Sequence, residues 1–203
     1  MVQRFTRRPL RSRHTVWAEW LAQKLARAQV RPNHISLAGM AAAAGAAACL
    51  VFGYWLPAAA LIQLRLLCNL LDGMVAIEGG LRTPSGEIYN DFPDRLSDAV
   101  ILVAAGYSVA APLWTRELGW GAALTAILTA YVRLLGGASG LAQDFRGPMA
   151  KPHRMAVMTL ACALAVIDTR AIPLALAVIV MGSLTTAAVR IRRIVGQLED
   201  RHS

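Results

Sequence analysis

Apolar residues run in six blocks along the chain, at about 35–54, 56–77, 87–112, 119–141, 153–168 and 171–190. Blocks of roughly 20 apolar residues have the length of a helix that crosses the hydrocarbon core of a bilayer. The breaks between them carry turn signals: Pro57 follows Tyr54 and Trp55, Gly79, Gly80 and Pro84 interrupt the second gap, and Gly147, Pro148 and Pro152 the fourth. The pattern predicts an all-α polytopic bundle with six transmembrane helices. It divides into a basic cytoplasmic segment over 1–34, a six-span catalytic bundle over 35–190 and a cytoplasmic tail over 191–203. Trp17, Trp20 and Leu21 within the basic segment predict an N-terminal amphipathic juxtamembrane helix on anionic headgroups, although a topogenic flank fits that stretch equally well.

Composition agrees with the pattern. The chain is 56% hydrophobic with a mean hydropathy of +0.46, more apolar than a soluble domain of its length. Lys and Arg are enriched in short cytoplasmic loops. With the N-terminus cytoplasmic, that side collects the arginines of the first 34 residues, Arg82, Arg146, Lys151, Arg154 and the tail, and leaves Arg116 and Arg170 opposite. The net charge of +9 then belongs to topology and membrane lipids, and no nucleic-acid partner is expected. Cys49, Cys68 and Cys162 stand singly in apolar blocks and read as small hydrophobes.

Polar residues inside a span are costly and mark functional sites. They cluster at the end of the second block, Asn69, Asp72, Gly73 and Ala76, and at the start of the third, Gly86, Asn90, Asp91, Asp94 and Asp98. Helical spacing places Asn69 with Asp72 on one face, and Gly86, Asn90, Asp94 and Asp98 in one stripe. Facing carboxylates at low dielectric need compensation, and a hard divalent ion, Mg²⁺ or Mn²⁺, supplies it from oxygen ligands while bridging to phosphates. The small residues Gly73, Ala76 and Gly86 leave room for a nucleotide near the backbone. Arg65 lies one turn from Asn69, and Asp98 one turn from Asp94, so the two are expected to pair beneath the site.

Residues 69–94 resemble the signature of the CDP-alcohol phosphotransferases (CDP-alcohol phosphatidyltransferases), DxxDGxxARx(8)GxxxDxxxD, with every spacing kept. Arg31, Pro32, Asn33, His34, Ile35 and Ser36 look like that family's entry to its first span. Asn69 and Asn90 stand at the first and third aspartate positions and Ile77 at the arginine position, making this a variant with Asn at two of the four motif aspartates. The resemblance implies transfer of a substituted phosphate, commonly phosphatidyl, from a CDP-linked donor such as CDP-diacylglycerol to a polar alcohol, with release of CMP, in phospholipid biosynthesis. It implies metal ligands at Asn69, Asp72, Asn90 and Asp94, and makes Asp94 the candidate base for the acceptor hydroxyl. Two asparagines halve the formal charge of the four positions. One Mg²⁺ or Mn²⁺ held firmly is therefore expected, with a second entering alongside the donor's pyrophosphate.

The same resemblance makes Arg82, Arg133, Arg146, Lys151 and Arg154 candidates for holding donor or acceptor phosphates; for the loop residues a solvated positive-inside loop is the competing reading. His153 is a candidate general base, with a solvated loop histidine the favoured reading. Gly136 and Gly140 mark close helix packing, either within the bundle or across a homodimer. The expected location is a bacterial cytoplasmic membrane, with both termini cytoplasmic. The alternative function is a catalytically inactive family member serving as a lipid-binding or scaffolding bundle.

Overall fold

A computed structural model of the chain describes residues 15–80, 86–109 and 111–201, without the side chains of 86, 87, 89 and 90. Seven helices follow one another among the described residues: α1 (Val16–Arg27), α2 (Pro32–Val51), α3 (Trp55–Glu78), α4 (Gly86–Gly106), α5 (Thr115–Ala138), α6 (Lys151–Ala165) and α7 (Ala171–Glu199). Pro32 and Pro152 stand in the first turns of α2 and α6, where a missing N–H costs nothing. Gly53, at φ +77°, lets the chain reverse between α2 and α3.

Four helices, α2, α3, α5 and α7, are long and apolar enough to cross a membrane. The other two apolar blocks fall short for different reasons. α4 has the length, but Asp91, Asp94, Arg95 and Asp98 lie within two turns of one another. α6 has 15 residues, which at 1.5 Å per residue reach about 22 Å of a hydrocarbon core about 30 Å thick.

α2 packs against α3 and α4, α5 against α4 and α7, and α6 against α3 and α7. The shared core is built largely of alanine, with Ala43, Ala46 and Ala47 of α2 and Ala122, Ala123 and Ala126 of α5 buried among Leu50, Ile62, Ile101, Leu102, Met155, Met158 and Leu176. Small residues let helices approach closely where lipid offers no hydrophobic drive to association. The buried Cys68 and Cys162 and the half-buried Cys49 are free thiols within these packed helices. α1 lies against α3 through Ala18 and Ala22, which join Leu71, Met74 and Val75 in a second cluster. Trp17 and Trp20 remain exposed, and the Lys24 ammonium sits 5.0 Å from the Trp20 ring centroid.

A close, backbone-to-backbone approach joins α4 to α5. A Cβ added at Gly106 would lie 2.8 Å from the Thr115 carbonyl oxygen and 3.0 Å from Gly119 Cα, and one at Gly119 would lie 2.9 Å from Gly106 Cα. Both obstacles are backbone, so the helices themselves must part. Gly106→Ala is expected to destabilise the protein by about 1–3 kcal/mol, the usual range for overpacking. Thermal unfolding in detergent reads this directly, and an unchanged midpoint would rule the contact out. Gly136 makes a related contact inside the bundle, where an added Cβ would meet Ile194 of α7 at 3.0 Å.

Candidate active site

The ends of four helices converge at one end of the bundle: the start of α2, the end of α3 and the starts of α4 and α6. Ser36, Gly39 and Met40 of α2, Arg65, Asn69 and Asp72 of α3, and Pro93, Asp94 and Ser97 of α4 line a cavity there. Asp72 is buried, and its Oδ2 accepts a 2.8 Å hydrogen bond from Ser36 Oγ. Ser36 was not singled out as a site residue on sequence. Its neighbours Pro32 and Asn33 carry a motif, but a lone serine in a small-residue helix gives no signal of its own.

Asp94 is held on every side. Its Oδ1 accepts from Arg65 Nη2 at 3.1 Å, and its backbone carbonyl accepts from the same nitrogen at 2.8 Å. Its Oδ2 accepts from Asn69 Nδ2 at 2.6 Å and from the Lys151 ammonium. Lys151 also donates to Asn69 Oδ1 at 2.9 Å. A lysine from the start of α6 thus bridges the asparagine of α3 and the aspartate of α4.

One layer deeper lies the expected pair. Arg65 Nη2 is 2.7 Å from Asp98 Oδ1, and Arg154 Nη2 is 3.5 Å from Asp98 Oδ2. Arg65 and Arg154 are each 1% exposed. Arg154 is tied further to the Met149 carbonyl at 3.0 Å and to Thr129 Oγ1 at 3.3 Å, so its guanidinium braces α4, α5 and α6 from within. Asp98 therefore pairs with two buried cations, one of which, Arg65, also pairs with Asp94.

Asp91 takes a different partner set. It binds Arg95 at 2.7 Å and Arg133 at 3.2 Å, and Arg133 stacks over the Phe145 ring at 5.3 Å. The charge of Arg133, conspicuous within α5, is met from α4. Asp91 and Asp98 are thus each paired with two arginines.

The remaining candidates are dispersed. Gly73 is buried and Ala76 half-buried on α3, Arg146 and His153 are exposed, and Gly86 begins α4. Arg82 and the side chain of Asn90 lie outside the described residues. The loop leading to Lys151 is strapped to α7: Met149 N–H donates to Thr186 Oγ1 at 2.9 Å, and Arg190 Nε to the Arg146 carbonyl at 2.9 Å. Arg190 Nη1 also donates to the Thr129 carbonyl at 2.7 Å.

Among the described residues, no group of three or more His, Cys, Asp or Glu side chains is arranged to hold a metal ion. The donors that line the cavity are nonetheless oxygens: two carboxylates, Asp72 and Asp94, an amide, Asn69, and two hydroxyls, Ser36 and Ser97. That set suits a hard divalent ion, which commonly takes one or two carboxylates and completes its shell with water and substrate phosphate.

No protein-family model and no curated protein matches the chain. Solved structures share its fold. Phosphatidylinositol phosphate synthase from Mycobacterium tuberculosis with CDP-DAG bound superposes with a TM-score of 0.77 at 22% identity, over 87% of this chain and 92% of that one. The same enzyme with manganese and citrate gives 0.76 at 21% identity, over 87% and 88%. Its apo form gives 0.73 at 20% identity, over 85% and 93%. At these identities the likeness is one of fold: an all-helical integral membrane bundle.

Proposed function

We propose that the chain is a divalent-metal-dependent CDP-alcohol phosphotransferase that moves a substituted phosphate, phosphatidyl from CDP-diacylglycerol in the first instance, to a polar alcohol with release of CMP. The observation that carries this reading is the meeting of Asp72 and Asp94, from the two halves of a long, fixed-spacing signature, in one cavity that Asn69 also lines while donating to Asp94. The shared fold of a synthase solved with CDP-DAG and with manganese supports it.

The chemistry follows from the residues. Asp72, Asn69, Asp94 and Asn90 would hold the metal, on the Asp72 side before substrate binds and on the Asn69–Asp94 side once Lys151 has moved, and the metal would supply charge neutralisation to the donor's pyrophosphate. The acceptor hydroxyl oxygen forms the new bond to the lipid-side phosphorus, the bond from that phosphorus to CMP breaks, and the electron pair leaves with CMP. Asp94 receives the hydroxyl proton at Oδ2, the oxygen now held by Lys151 and Asn69. For that, Lys151 moves its ammonium from Asp94 to a substrate phosphate, where its charge has an equal partner. Arg65 keeps Oδ1 and the backbone of residue 94 in place throughout. Arg154 and Arg133 serve this site as braces of Asp98 and Asp91, leaving Lys151 as the cation at the cavity for a substrate phosphate.

In the membrane, α4 and α6 complete a six-span set, their polar ends gathered at the basic cytoplasmic face, and α1 lies on the headgroups with Trp17 and Trp20 outward. Purified protein incubated with CDP-diacylglycerol and a panel of glycerol phosphate, inositol phosphate, serine and choline is expected to release CMP with one acceptor and to yield the matching lipid by mass spectrometry. No CMP with any acceptor would leave the scaffolding bundle as the reading. Restoring both carboxylates, Asn69→Asp with Asn90→Asp, is expected to tighten metal binding in the absence of donor, read by calorimetry; unchanged affinity would take the asparagines out of the metal's reach.

A further inference from the structure

The cavity contains its own cation. Three carboxylates, Asp72, Asp94 and Asp98, share the interior with three cations, Arg65, Lys151 and Arg154, so the formal charges of this cluster already cancel. Two of those cations, Arg65 and Arg154, are fully buried and engaged with Asp98. Lys151 is different. It is partly exposed at 17%, it reaches the site from the first residue of α6, and its ammonium rests on both Asn69 Oδ1 and Asp94 Oδ2.

We infer that Lys151 is the resident counter-cation of the Asn69–Asp94 half of the site and keeps a second divalent ion out until a phosphate-bearing substrate draws the ammonium away. This rests on the reading of Asp72 and Asp94 as the metal-facing carboxylates. The asparagine at position 69 is what makes the arrangement balanced. Its Oδ1 accepts a hydrogen bond from Lys151 while its Nδ2 donates one to Asp94, so a neutral amide joins ammonium to carboxylate without adding charge. A divalent ion placed beside Asp94 would have to share one carboxylate with an ammonium already bonded to it, and like charges at that separation oppose each other strongly at low dielectric. A flexible four-carbon stem lets the ammonium leave without disturbing the helices, unlike the two arginines beneath it.

The count of bound Mn²⁺ on the full chain in detergent, without nucleotide, tests this through the loss of the free-ion electron paramagnetic resonance signal. Lys151→Met is expected to bind one Mn²⁺ more than the native chain, and Lys151→Arg, which keeps a cation at the end of the stem, the native number. Lys151→Gln repeats the measurement should the methionine variant fail to elute as a folded species. Equal counts for the native and neutral variants, or two ions already bound by the native chain, would overturn the inference. Because no turnover is needed, the result is separate from CMP release: absent transfer with a changed count removes the proposed activity and leaves Lys151 in this role.

Discussion

Asp72→Ala and Asp94→Ala are each expected to lower CMP release by at least roughly 10²–10³-fold, the scale on which single preorganised groups act on developing charge. The two losses have different origins. Asp72 is buried and accepts a hydrogen bond from Ser36, so its removal takes away a metal-facing oxygen. Asp94 also anchors Arg65 and Lys151. Its Ala variant therefore combines loss of the proton acceptor with two cations seeking new partners, and Asp94→Asn separates these effects by keeping the shape while removing the charge. Size-exclusion profiles establish that the variants remain folded, and excess EDTA should silence the native protein to the same degree. Native-level CMP release in EDTA, or from either alanine variant, would eliminate the metal mechanism.

Asp98→Ala is expected to have the largest effect on stability, about 3–5 kcal/mol, the range seen when one partner of a buried ion pair is removed and the other charge stays behind. Here two guanidiniums are left, Arg65 at 2.7 Å and Arg154 at 3.5 Å from the lost oxygens. Arg65 retains Asp94, and Arg154 retains the Met149 carbonyl and Thr129, which keeps the loss at this scale. Unfolding followed by circular dichroism in detergent measures it. A change under about 1 kcal/mol would mean that water reaches the pair and screens it as it does surface pairs.

Much of this site was legible in the chain, and what was legible shares a cause. Asn69 with Asp72, and Asp94 with Asp98, are related by spacing within single helices, and α3 and α4 follow one another through a short connection. Local periodicity and antiparallel succession together were enough to place Arg65 against Asp98. The α2 and α3 blocks and the long α7 block were plain for the same reason, a sustained apolar run. Lys151 was not legible in its role. It meets Asn69 across 82 residues and Asp94 across 57, and periodicity says nothing of which non-neighbouring helices touch. The partner of Arg133 was hidden on the same ground: its charge inside α5 is answered by Asp91, 42 residues earlier. The extent of α6 was misleading because its apolar run includes Val166 and Ile167, which lie beyond the helix end at Ala165.

The pairing of Arg65 with Asp94 and Asp98 bears on how the chain enters the bilayer during synthesis. Arg65 lies near the middle of α3, and an arginine at the centre of an inserting helix carries a penalty of about 2.5–3.5 kcal/mol on translocon scales. Both of its carboxylate partners reside on α4, which leaves the ribosome later. When α3 alone has emerged, the two carboxylates that pair with Arg65 are still to come, and Asp94 and Asp98 of α4 in turn find Arg65 on the preceding helix. Lateral release of the two as a hairpin satisfies both at once, and the few residues between Glu78 and Gly86 are short enough to keep them adjacent as they leave the channel.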